Sequence, residues 1–133
     1  MLIISRGNVQ NFIDARAFRD WLKLQPPGQT VGISDDEDGC PFSNYVGCRI
    51  TGLSLDEYLY GLPRALNVTV NCDDIGVSTN DEYETFTTED WIKDFMREVD
   101  GIVDGEEHIP DYIPISAGRA LEIIEEVIAK WQL

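Results

Sequence analysis

Residues 30–52 read TVGISDDEDGCPFSNYVGCRITG, and three kinds of local structure follow one another in them. Thr30-Val31-Gly32-Ile33 has the β-branched content of a short strand. Ser34-Asp35-Asp36-Glu37-Asp38-Gly39 is a polar acidic loop. Cys40-Pro41-Phe42 then opens a helix, because proline's fixed φ suits the first helical position and its missing N–H is unneeded there. Phe42, Tyr45, Val46 and Ile50 keep helical spacing up to Thr51-Gly52, where glycine ends the segment.

The pattern continues in both directions. Upstream, Asp14 caps a helix whose flanking Ile13 and Phe18 form a hydrophobic staple, and Trp21 and Leu22 extend its apolar face. A start at Asn8 also fits, since Val9, Phe12 and Ile13 share the period. Pro26-Pro27-Gly28 stops the helix, and Leu2-Ile3-Ile4 reads as a short strand. Downstream, Ser54 and Glu57 make a capping box for a helix over Leu55–Tyr60, closed by Gly61 and Pro63. Asn67–Asn71 alternates as a strand, and Tyr83–Phe86 is expected to pair with it after a turn at Ser78–Asp81.

Two longer helices close the chain. Thr87 or Thr88 is expected to cap one carrying Trp91, Ile92, Phe95, Met96 and Val99, stopped by Gly101. Ser116 caps the other, with Leu121, Ile124, Ile128 and Trp131 on one face and Ile123 and Val127 widening it. Val103–Pro114 reads as a turn-rich acidic connection. Helices outnumber strands, and the strands are short and irregularly interleaved. The expected fold is therefore a single helix-rich α+β domain spanning 1–133, with four to five helices on a small sheet.

Composition bounds the rest. At 133 residues a folded chain exposes about 7,000 Å² of roughly 22,000 Å², enough burial for one core. The hydrophobic fraction of 43% is too high for a disordered acidic chain. No apolar run reaches the ~18 residues of a membrane span, and the first ten residues lack a signal-peptide pattern, so a cytoplasmic protein is expected. Ten bases face 25 acids, a net charge of −15. Residues 1–34 carry four bases against Asp14 and Asp20, so the acidity lies beyond them. It is densest over 81–111, where 12 acids face only Lys93 and Arg97. Such a surface repels a phosphate backbone and attracts a basic protein. Plain solvation or adaptation to a salty host would favour the same composition.

The chemistry-bearing residues are sparse. Asp36-x-Asp38-Gly39 resembles part of a calcium loop, but that frame puts Tyr45 where a bidentate glutamate is needed. Cys40 at a helix N-cap gains thiolate character from the helix end. The four carboxylates of 35–38, each worth about 0.6 kcal/mol at roughly 7 Å, offset it, so little net activation is expected. Cys40, Cys48, Cys72 and His108 lack zinc-knuckle spacing, and Cys48 and Cys72 read as packing residues. His108, the single histidine, sits beside Glu106, Glu107 and Asp111 in what reads as an exposed turn. Trp21, Trp91 and Trp131 read as core. No phosphate loop or nucleophile elbow occurs, so no metal, cofactor or catalytic residue is assigned, with Cys40 and His108 the weak catalytic candidates.

The leading expectation is a small, acidic, non-enzymatic interaction or regulatory module that engages a basic partner protein. Its binding residues would be Asp35, Asp36, Glu37 and Asp38, with Tyr58, Tyr60, Tyr83 and Tyr112 as aromatic contacts outside the long core stripes. One alternative is a small enzyme or ligand-binding domain centred on the Asp35–Cys40 loop. A second is a DNA-mimic inhibitor that occupies a partner's basic groove. The apolar last helix could equally serve a homodimer.

Overall fold

The computed structural model describes residues 4–61, 66–103, 106–107 and 112–133. They form a helix-rich α+β fold of six helices and short antiparallel strands. The expected strand at Leu2–Ile4 and the proline stop at Pro63 fall wholly or partly outside those residues; Ile4 itself is buried but not in a strand.

The N-terminal helical pattern divides in two, α1 (Arg6–Phe12) and α2 (Ala15–Lys23). Continuous helix would send the Phe12 carbonyl to the amide of residue 16. Instead it accepts from the Asp14 N–H at 2.9 Å and from the buried Tyr45 phenol at 2.6 Å. The Asp14 carboxylate then caps α2, accepting from the Ala17 N–H at 2.8 Å, and Ile13 and Phe18 are both buried as the staple requires.

β1 (Thr30–Ile33) pairs antiparallel with β7 (Pro114–Ser116), with an irregular register between Thr30 and Gly32. Pro114, the last residue of the expected connection, instead opens a strand. Three residues beginning with proline carry almost no strand signal, and only the partner strand defines them. α3 (Pro41–Thr51) follows the acidic loop, with Cys40 as N-cap and Gly52 ending it in the left-handed conformation at φ 74°. α4 (Leu55–Tyr60) carries the full Ser54–Glu57 capping box. A Cβ on Gly47 of α3 would lie 2.2 Å from the Tyr58 ring, so glycine lets α4 dock. Tyr58 is consequently buried, not available as a contact.

The three-stranded sheet corrects one pairing. Between β2 (Asn67–Val70) and β4 (Tyr83–Thr87) runs β3 (Asp74–Ser78), so β4 pairs with β3 and not with β2. Gly76 in mid-strand, with only Ile75 and Val77 apolar, weakens the alternation that would betray β3. Beyond β4, Thr88 does not cap α5 (Asp90–Val99). Its hydroxyl donates to the Asn71 carbonyl at 2.8 Å, and Glu89 is the N-cap residue without a side-chain cap. A two-residue ladder joins β5 (Ile102–Val103) to β6 (Glu106–Glu107) within the stretch read as connection.

α6 (Ala117–Trp131) is capped by Ser116 as expected. Its buried face runs through Ala117, Ala120, Ile123, Ile124 and Val127, against α2 and α5. Leu121 and Ile128 only flank it, and Trp131 is 41% exposed. That last residue was expected in the core. Its indole N–H instead donates to Asp94 at 2.8 Å, at the wet end of the helix. That buried face is used within the chain.

Phe18 of α2 is the centre of the core. Its ring meets Phe42 and Tyr45 of α3 at 5.2 and 5.1 Å, and Phe95 of α5 at 5.0 Å. Trp91 joins at 5.5 Å from Phe42. Edge-on and tilted pairs at these distances add about 0.5–1.5 kcal/mol each beyond burial. The cluster fixes α5 against the start of α3, beside the acidic loop.

Candidate functional site

The loop between β1 and α3 is built, not slack. The Ile33 N–H donates to the Gly39 carbonyl at 2.9 Å and closes it. The buried Asn44 amide ties β1 to the loop, donating to the carbonyls of Val31 at 2.9 Å and Gly39 at 3.2 Å. Asp35 takes the left-handed conformation, φ 57°, which aspartate tolerates better than most residues. Its N–H donates to the Asp100 carboxylate at 2.7 Å. The Glu37 carbonyl accepts from the Val70 N–H at 2.9 Å, so the loop lies against the end of β2. On the other flank Ser34 exchanges backbone hydrogen bonds with Tyr112 and Ile113, and its hydroxyl accepts from the Ile113 N–H.

Between this loop, the end of β2 and α5 lies a cleft of about 220 Å³. Asp35, Asp36, Glu37 and Asp100 give it an acidic wall, and Lys93 and Arg97 a basic one. Pro41, Val70, Phe95, Met96 and Val99 make the rest mainly apolar, with Cys40 and Cys72 also bordering it. Asp36 is half-buried, and its carboxylate accepts from the Asp38 N–H at 3.3 Å. A Cβ at Gly39 would lie 2.6 Å from that carboxylate, so a side chain there would push Asp36 aside.

Cys40 is 6% exposed, and burial pushes its thiol pKa up. The Ser43 N–H reaching Sγ at 3.4 Å acts the other way, and the Asp100 charge adds to the rise. Desolvation, which outweighs both the helix end and the loop carboxylates, is the largest contribution. A buried thiol held protonated is a poor nucleophile. Cys48 is buried as expected. Cys72 is exposed: Asn71 Oδ1 accepts from the Asp73 and Asp74 amides at 2.8 and 2.9 Å, and that tight turn carries Cys72 at its tip.

The other candidates disperse. Asp38 is exposed outside the cleft lining. Tyr60, Tyr83 and Tyr112 are 81%, 67% and 66% exposed, but α4 and β4 do not border the cleft. Only Tyr112 adjoins the loop, its N–H donating to the Ser34 carbonyl at 3.2 Å. His108 lies outside the described residues. Among the described residues no group of three or more histidines, cysteines or acids is arranged to hold a metal, and no helix is long and apolar enough to cross a membrane. Sequence reasoning missed Val70, Met96 and Asp100 as site residues. Lys93 and Arg97 had one signal, being the only bases within 81–111.

The arrangement defines a small α+β protein with an acid-walled, apolar-floored cleft. At about 220 Å³ the cleft falls below the ~300–1,000 Å³ of drug-sized and cofactor pockets. No protein-family model, curated protein or solved structure matches the chain.

Proposed function

We propose that this protein is a non-enzymatic interaction module that engages a basic polypeptide and seats one lysine or arginine of it in the cleft beneath the Asp35–Gly39 loop. The net charge of −15 steers a cationic partner toward the surface. The methylene stem of the anchor then lies on Val70, Met96 and Val99 while its charged head meets the carboxylates, the division that long basic side chains favour. Tyr112, exposed beside the loop, adds aromatic contact at the rim.

One observation carries this reading. Asp35, Asp36 and Glu37 meet Asp100, far along the chain, around a floor of apolar side chains. A turn that is merely solvated needs no such floor. The loop is also hydrogen-bonded before any partner arrives, so binding costs little ordering entropy.

Calorimetric titration with a lysine-rich peptide tests the proposal. Affinity should fall at least tenfold between about 50 and 500 mM salt, as the screening length shrinks. The pair Asp36→Asn and Glu37→Gln should weaken it further; the new amide at 36 can still accept from the Asp38 N–H, so the loop survives. Binding insensitive to both salt and these substitutions would refute the proposal.

A further inference from the structure

The basic wall of the cleft is at odds with a purely cationic ligand. Beyond residue 34 the chain is strongly acidic, yet Lys93 and Arg97 stand one helical turn apart on α5, both lining the cleft. Lys93 lies 3.6 Å from Asp90. Arg97 makes no hydrogen bond or ion pair among the described residues. An all-cationic partner would meet like charge here, whereas a ligand with a carboxylate near its cation satisfies both walls.

The chemistry of the anchor narrows the choice. An internal lysine has no carboxylate at its α-carbon, but a chain-terminal one does.

We infer that the cleft reads a C-terminal lysine or arginine, its side-chain cation at Asp36 and Asp100 and its free α-carboxylate at Arg97 and Lys93. This rests on the basic-partner reading and adds which residue of the partner anchors it. The small cleft volume supports it, since one terminal residue fills the space and the rest of the partner lies outside.

The chain has two methionines, and Met96 lines the cleft, so carbon-13 methyl labelling places one reporter at the site. The probes are acetyl-Gly-Ser-Gly-Lys with a free carboxylate, the same peptide amidated, free lysine, and amidated polylysine. The free acid should shift the Met96 methyl and bind roughly tenfold more tightly than the amide, the worth of one charge-assisted contact. The exposed Arg97→Gln should erase that difference, and Asp36→Asn should weaken both peptides. Equal affinity for acid and amide, or an unmoved Met96 methyl, would overturn the inference. Free lysine binding as tightly as the peptide would overturn it too, by assigning the site to a free amino acid. If polylysine binds with salt sensitivity while acid and amide are not distinguished, the basic-partner function stands and only the terminal reading falls. If polylysine also fails, both fall.

Discussion

Tyr45→Phe deletes one oxygen at the junction of α1 and α2, and its effect should reverse sign with pH. At neutral pH the phenol donates to the Phe12 carbonyl at 2.6 Å, but that carbonyl also accepts from the Asp14 N–H at 2.9 Å. Phenylalanine therefore loses one hydrogen bond and strands no acceptor. The cost is about 0.5–1.5 kcal/mol, below the ~1–3 kcal/mol of a buried group left unpaired. Burial pushes the Tyr45 pKa up to about 12, from an ordinary value near 10. A raised pKa stabilises the fold fully below the unfolded value and loses that contribution as pH climbs toward the folded one. The wild type should lose about 1.4 kcal/mol by pH 11 and approach about 2.7 kcal/mol above pH 12, while the variant loses none of it. Urea unfolding of both proteins from pH 7 to 11.5 should give stability curves that start about 1 kcal/mol apart and cross near pH 11. Other titrating groups cancel in the difference. Parallel curves would refute the buried-donor account, and a neutral-pH loss above about 3 kcal/mol would show that the Phe12 carbonyl had no second donor.

Glycine substitutions should divide by their surroundings. Gly7→Ala on α1 meets nothing within 4 Å and should stabilise the fold by up to about 1 kcal/mol in thermal unfolding. Gly47→Ala has the same helical gain but drives a Cβ to 2.2 Å from Tyr58, and overpacking of about 1–3 kcal/mol should make it a net loss. Gly32→Ala places its Cβ 2.3 Å from the Pro41 backbone nitrogen, where no side chain can swing aside. It should be the most destabilising of the three and should disturb the Met96 methyl signal as α3 shifts. Asp94 accepts from Lys130 at 2.7 Å and Trp131 at 2.8 Å; the Lys130 bond, chiefly, holds its carboxyl below the ordinary range. That stabilisation is present above the unfolded carboxyl pKa and lost as pH falls through the folded one. Lys130→Met should raise the Asp94 titration midpoint seen by carbon-13 NMR, and an unmoved midpoint would deny the pair.

Local chemistry made the helix ends legible. Asp14, Ser54 with Glu57, Cys40-Pro41, Gly52 and Ser116 all announce their roles within four residues of the groups they serve. What stayed hidden needed a partner distant in the chain. The break at Ile13 depends on a phenol from α3, and β3 and β7 take their form from neighbours rather than from Gly76 or Pro114. Thr88 satisfies the first rule for a cap, yet its hydroxyl is claimed by Asn71. The same division holds at the cleft. Its acidic wall lies mostly in one continuous stretch and could be read directly. The floor and the basic wall arrive on β2 and α5 and required the fold.

The three thiols also give this protein an internal clock. Cys72 is exposed at its turn while Cys40 and Cys48 are buried, so a maleimide should add one label to the native chain in seconds to minutes. The second and third labels must wait for the helix that holds Cys40 at its N-cap and Cys48 in its last turn to open. Intact-mass spectra taken over hours would therefore record how often α3 lets go. A ligand seated in the cleft should lengthen that interval, without any engineered probe.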